Sequence, residues 1–297
     1  MKTIQKSVIY ALLAVACWST VATAFKLALA GMSFMMLLVI SSFVAAFSFL
    51  VVLMAKKETK KPFQIPLKKL GKPLLKGFLN PFLYYLILFK AYDLLPAQEA
   101  LILNYVWPII LVIFSVLFLG QKLLRLDIPS ILICFLGVVV IATQGNISNF
   151  QIDNALGIFL ALISSLIWAL YWILNMDKKE EARVQFFLGF FIGFIFSFAT
   201  LLFFPENWEI KTTQSLIAAI YVGLFEMSIP FLLWQLALTK ARSTAAVSRF
   251  IFLSPFLSLM LISLILKEEI LLSSFIGLLL IITGITIQGF GKREKVN

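Results

Sequence analysis

A chain of 297 residues that is 62% hydrophobic and 13% charged is too apolar for a soluble globular domain, where about 45–50% apolar and about 25% charged is usual. Mean hydropathy of +1.03 makes it an integral membrane protein, and the net charge of +11 then reads as a topology signal and contact with anionic headgroups, with no nucleic-acid partner. The absence of histidine excludes His-based metal centres, Ser-His dyads and histidine proton relays.

Ten apolar stretches are long enough to cross a hydrocarbon core, which takes roughly 20 helical residues. They fall at about 8–30, 32–55, 73–93, 96–119, 126–145, 155–176, 184–204, 214–238, 243–266 and 270–290. With the N-terminus in the cytoplasm, 21 of 25 basic residues lie on or toward that side, and only Lys26, Lys90, Lys211 and Lys267 do not. Both termini are therefore expected in the cytoplasm, in a multi-pass protein of the cell (inner or plasma) membrane.

The first span is read as a retained helix, too long for a signal-peptide core. It carries Trp18, Ser19 and Thr23. The loop Lys56–Lys72 is basic, contains two prolines and is expected to lie along headgroups. Asn80-Pro81 falls in the third span. Lys90 and Glu99 flank the turn to the fourth and are expected to pair there. The fourth span holds Asn104-Tyr105-Val106-Trp107-Pro108, where the proline predicts a helix kink. Trp107 and Tyr105 offer ring faces to an aromatic or cationic substrate, and Asn104 offers hydrogen bonds. Trp168, Tyr171, Trp172 and Asn175 make a stripe in the sixth span, split between cavity and interfacial belt. Gly189 and Gly193 in the seventh predict close packing against a neighbouring helix or a second protomer. Cys17 and Cys134 lie in spans without CxxC spacing and read as packing residues.

The eighth span contains Glu226, followed by Pro230, and ends in Trp234-Gln235. An ionisable residue this deep costs about 2.5–3.5 kcal/mol on insertion scales and usually faces protein or a water-filled cavity. Glu226 reads as a ligand for a substrate amine or as a protonation switch, which would give proton coupling. The alternative is a helix-to-helix bond, with Arg249 in the ninth span as partner. Arg249 also suits a substrate carboxylate, or snorkels to headgroups. Pro255 kinks the ninth span as Pro108 kinks the fourth.

The chain also reads twice. Pro108, Gln121 and Gly137 recur as Pro255, Glu268 and Gly284, each 147 positions later. Trp18 recurs as Trp168 after 150, and Asn80 is matched by Glu226 after 146. Five spans per half is an odd number, so the second copy is inverted in the bilayer, a construction that places a site near the midplane. The expected fold is all-α, ten transmembrane helices as two inverted five-helix repeats, over residues 1–147 and 148–297.

On the Trp18-Ser19-Thr20 opening with Lys26 at the helix end, the Pro108 and Pro255 helices, and the Gly137 and Gly284 helices, the chain resembles the drug/metabolite transporter superfamily in its EamA form. Asn104 to Pro108, with Phe118-Leu-Gly-Gln-Lys122, is similar to YddG-type aromatic amino acid exporters. Glu226 departs from the apolar residue that this resemblance implies. The resemblance implies a cavity between the halves lined by Trp18, Tyr84, Asn104, Trp107, Trp168 and Trp234. With Asn80, Glu226 and Arg249 these are the candidate substrate-binding residues. No catalytic or metal site, cofactor or ATP-binding loop is expected. The function expected is a secondary permease that exports amino acids or related amphipathic amines by alternating access. The alternatives are uptake of a nucleoside-type metabolite, and a non-transporting assembly or lipid-handling protein. Oligomeric state is not legible.

Overall fold

A computed structural model describes residues 2–66, 68, 70–120, 125–146, 154–174, 181–204, 208–241 and 249–289. Among these residues there is no strand, only an isolated bridge between Met32 and Ile210. In lipid the backbone must satisfy its own hydrogen bonds, so long apolar segments become helices. Their hydroxyls follow the same rule: Ser41, Ser42, Ser115 and Ser197 each donate to the carbonyl four residues back, which removes a donor from the apolar surroundings.

The first half comprises α1 (Lys2–Leu29), α2 (Phe34–Ala55), a short 3-10 turn (Lys61–Gln64), and a third span of α3 (Gly71–Gly77), a π turn (Phe78–Leu83) and α4 (Tyr84–Leu94). The fourth span is α5 (Ala97–Asn104) with α6 (Trp107–Leu119), and the fifth is α7 (Asp127–Ala142). The second half comprises α8 (Ala155–Leu174), α9 (Ala182–Leu201), and an eighth span of α10 (Thr213–Phe225) and α11 (Ile229–Lys240). Its ninth span is a 3-10 turn (Arg249–Leu253), α12 (Ser254–Leu261) and a π turn (Ile262–Leu266), and its tenth is α13 (Leu272–Gly289). Among the described residues seven spans are long and apolar enough to cross a membrane, and three shorter apolar helices, Asp127–Ala142, Phe250–Leu266 and Leu272–Ile287, bring the total to ten.

Helix pairing has a two-fold pattern. α2 packs on α9 and α7 on α13, each helix against its own repeat mate, while α1 packs on α10 and α11 as α8 packs on α4. Glycines show the same relation at atomic scale. A Cβ on Gly77 would sit 2.8 Å from the Gly189 carbonyl oxygen and from Ile192 Cβ; one on Gly223 would sit 2.7 Å from the Ser41 carbonyl oxygen and 2.6 Å from Val44 Cβ. Likewise Gly137 abuts the Gly277 carbonyl at 2.8 Å and Gly284 the Ser130 carbonyl at 2.7 Å. Along the α7 and α13 pair one number rises as the other falls, so these repeat mates run antiparallel. The α2 and α9 pair does the same, with Phe43 beside Phe194 and Phe49 beside Phe186. Antiparallel mates are what an inverted repeat produces.

Candidate functional site

Four spans are broken, at positions matched between the halves. In the third, Asn80 leaves helical geometry at φ −146 and ψ 118. In the eighth, α10 stops at Phe225, Glu226 caps it, and α11 restarts at Ile229 with Pro230 in its first turn. Ser228 Oγ donates to the Gly223 carbonyl at this break. In the fourth and ninth spans the break precedes the proline. Pro108 and Pro255 occupy the first turn of α6 and α12, where a missing N–H costs nothing. The expected mid-helix kinks are thus helix restarts.

Glu226 is 8% exposed. Its Oε1 accepts a hydrogen bond from Tyr85 OH at 2.9 Å, while Oε2 has no partner. The Glu226 carbonyl accepts from Trp18 Nε1 at 3.4 Å. Trp18 packs edge-on against Trp234, 5.5 Å between centroids, and against Phe231 at 6.3 Å. Phe231 also meets Trp168 at 6.3 Å, and Trp168 stacks on Tyr84 at 4.7 Å. Tyr84 OH donates to Asn104 Oδ1 at 3.3 Å, and Asn104 Nδ2 donates to Ser164 Oγ at 2.8 Å. Trp18, Tyr84, Asn104, Trp168, Glu226 and Trp234 thus form one connected cluster drawn from both halves.

Asn80 lies just below the cluster in sequence, 2% exposed, with both side-chain polar atoms buried and unpartnered. Buried polar atoms are normally hydrogen-bonded, so Asn80 and Glu226 Oε2 are open valences within the protein. Asn80 offers an amide donor and an amide acceptor, and Glu226 Oε2 an acceptor for a hydrogen bond or a cation. Among the described residues no three His, Cys, Asp or Glu side chains come together.

At one end of the bundle hydrogen bonds bridge the two halves. Ala97 N donates to Glu268 Oε1 at 3.1 Å, Gln98 Nε2 to the Glu269 carbonyl at 2.9 Å, and Leu271 N to Gln98 Oε1 at 3.0 Å. Lys26 Nζ donates to the Tyr92 and Leu95 carbonyls at 2.9 and 3.0 Å, a cation at the C-terminal end of α4.

The model of the EamA-like transporter family matches residues 5–143 and again 155–289. The chain belongs to the EamA-like transporter family. It is a multi-pass membrane transporter of small molecules, and the two matches coincide with the two five-span halves. A protein of known crystal structure is similar at 20% identity over 95% of this chain and 96% of its own, with a TM-score of 0.68; that likeness shows the fold alone. A search of curated proteins finds no match.

Not every expected residue of this EamA chain joins the cluster. Trp107 opens α6, and among the described residues no hydrogen bond or ring contact ties it to Glu226 or Trp168. Arg249 begins the 3-10 turn, but its side chain, like Asn175, lies outside the described residues. Lys90 does not pair with Glu99: its Nζ bonds Asp93 Oδ2 at 2.7 Å, one turn along the same helix, and lies 4.9 Å over the Phe34 ring. Glu99 Oε1 instead accepts from Gln144 Nε2 at 3.1 Å. Gly193 packs on Pro81 of the same chain. Sequence reasoning missed Tyr85 and Phe231, although the shift of 146 that relates Asn80 to Glu226 also relates Tyr85 to Phe231.

Proposed function

We propose that this EamA-like protein is a secondary transporter that exports amino acids or related amphipathic amines by alternating access, with its termini in the cytoplasm and its halves dividing at 147 and 148. The observation that carries the reading is the Glu226 carboxylate: buried at a helix break, held through one oxygen by Tyr85, unpartnered at the other, and joined through Tyr85 and Trp18 to the connected rings of Tyr84, Trp168, Phe231 and Trp234. Such a site takes an ammonium group on the free oxygen with its apolar body against the rings. A proton on the same carboxylate competes with that ammonium, which couples export to proton entry. Asn80 and Asn104 supply amide groups for a polar end of the substrate.

The test is thermal stability of the purified protein in detergent against amino acids, amines and nucleosides, repeated with Glu226→Gln. A ligand at about 100 times its dissociation constant adds roughly 2.7 kcal/mol of stability. Stabilisation by amines or amino acids in the wild type and none in the variant supports the reading. Stabilisation by nucleosides alone, or equal stabilisation of both proteins, refutes it.

A further inference from the structure

The loop after α2 builds a cleft of about 560 Å³ lined by Met54, Lys57, Glu58, Thr59, Lys60, Lys61 and Gln64. Its closure is local: Lys57 takes a left-handed conformation at φ 57, and Glu58 N bonds back to the Leu53 carbonyl at 2.8 Å. That position after a helix usually goes to glycine; a lysine there puts a cation on the cleft wall.

Charge in the cleft is uneven. Glu58 is engaged by Arg183 Nη2 at 3.1 Å and Lys61 Nζ at 3.2 Å, and Lys61 reaches Glu181 at 2.7 Å. Those four charges cancel. Among the described residues the ammonium groups of Lys57 and Lys60 have no side-chain partner, so the cleft keeps two uncompensated cations. Below it, Phe43, Phe47, Val51 and Met54 are exposed and, at spacings of four, four and three, make one lipid-facing stripe up α2. The stripe ends at Met54, which also lines the cleft. On the other side Phe63, 83% exposed, projects from the 3-10 turn as an interfacial anchor.

We propose that this cleft holds the phosphate of an anionic phospholipid between Lys57 and Lys60, with an acyl chain lying along Phe43, Phe47, Val51 and Met54. An annular cationic rim at a helix end attracts anionic headgroups generally; here an open cleft with two unpaired lysines, flanked by a charge-balanced ion-pair network and continuous with an apolar track, favours one bound position. Glu58, shared between the cleft and Arg183 at the start of α9, connects an occupied site to the second repeat.

The test uses the full-length protein in detergent and follows thermal stability on titration with short-chain phosphatidylglycerol, short-chain phosphatidylcholine, or glycerol 3-phosphate. The proteins compared are wild type, Lys57→Gln/Lys60→Gln, and the control Lys211→Gln/Lys240→Gln. Two lysines near a surface contribute about fivefold each, so wild type and control should bind phosphatidylglycerol about 25-fold more tightly than phosphatidylcholine. In the Lys57→Gln/Lys60→Gln protein the two lipids should bind alike. An unchanged preference in that variant, or none in wild type, overturns the proposal. Full stabilisation by glycerol 3-phosphate alone overturns it in favour of a soluble anion.

Discussion

Gly189 and Gly193 form a Gly-x-x-x-Gly pair on α9 that a motif reading treats as equivalent, and the structure makes them opposites. A Cβ on Gly193 would lie 2.4 Å from Pro81 Cγ, 2.5 Å from Pro81 Cδ and 3.1 Å from the Gly77 carbonyl oxygen. The pyrrolidine ring is fixed to the backbone and cannot rotate away, so Gly193→Ala overpacks the contact at a cost of about 1–3 kcal/mol. A Cβ on Gly189 meets only the Asn80 carbonyl oxygen, at 3.9 Å. Both variants gain up to about 1 kcal/mol of helix propensity, so Gly189→Ala is neutral to stabilising, and the contrast between them is the overpacking cost. At about 2–4 °C per kcal/mol for chains of 150–250 residues, melting temperatures followed by tryptophan fluorescence in detergent should differ by several degrees. Transport in proteoliposomes should fall in Gly193→Ala alone, because Pro81 lies in the π turn that leads into Tyr84 and Tyr85. Equal shifts for the two variants, as a protomer interface using both glycines would give, or a larger loss in Gly189→Ala, would refute the reasoning.

Other perturbations separate the site from its scaffold. Glu226→Gln should insert and fold normally yet lose the pH dependence of transport; a variant that keeps the wild-type pH profile would make Glu226 structural. Asn104→Ala and Trp168→Ala should raise the apparent substrate constant several-fold, since a neutral hydrogen bond or aromatic contact is worth about 0.5–1.5 kcal/mol. Trp208→Ala, outside the cluster in an exposed segment, should not, and equal effects in transport assays would remove the cluster assignment. At the loop after α2, hydrogen bonds from Arg183 first and Lys61 second hold the Glu58 carboxyl below its ordinary value. A carboxyl lowered on folding stabilises the protein above its unfolded pKa and loses that contribution as pH falls through the folded value. Melting temperature in acid should therefore fall less steeply in Glu58→Gln than in wild type, and parallel curves would exclude the network from the acid response.

The ten spans were legible because crossing a bilayer imposes a length and a composition, and the charge of the loops gave a second constraint on the count. The repeat was legible from Pro108 and Pro255, Gly137 and Gly284, because packing contacts repeat when a scaffold repeats, and its inversion followed from the odd number of spans in each half. The breaks were half legible: proline marked the fourth and ninth spans but not the helix restart one residue before it. At Asn80 and at Glu226 a break depends on which neighbour closes over the freed backbone, a tertiary matter. The short ion pair of Lys90 was misassigned for a related reason. Asp93, three residues along the same helix, reaches the ammonium without ordering a loop, whereas Glu99 lies across a turn and faces Gln144. Tyr85 was hidden because its partner, Glu226, lies in the other half and only the fold brings the two together.

What the two halves do not share is as informative as what they do. The glycine contacts, the antiparallel mates and the four breaks obey the pseudo-two-fold relation, so they belong to the packing frame the halves share. The chemistry obeys it only in part: Trp18 and Trp168 match across the halves, but the acid and its hydroxyl donor do not. Position 80 carries an amide where 226 carries a carboxylate, and position 85 a tyrosine where 231 has a phenylalanine, so a single acid and a single hydroxyl donor meet at 2.9 Å. Duplicating the acid would put two buried carboxylates near one axis, and like charges at close range disfavour joint ionisation. The repeat could thus be read from glycines and prolines, whereas the proposed site centres on a position where the two halves carry different polar side chains.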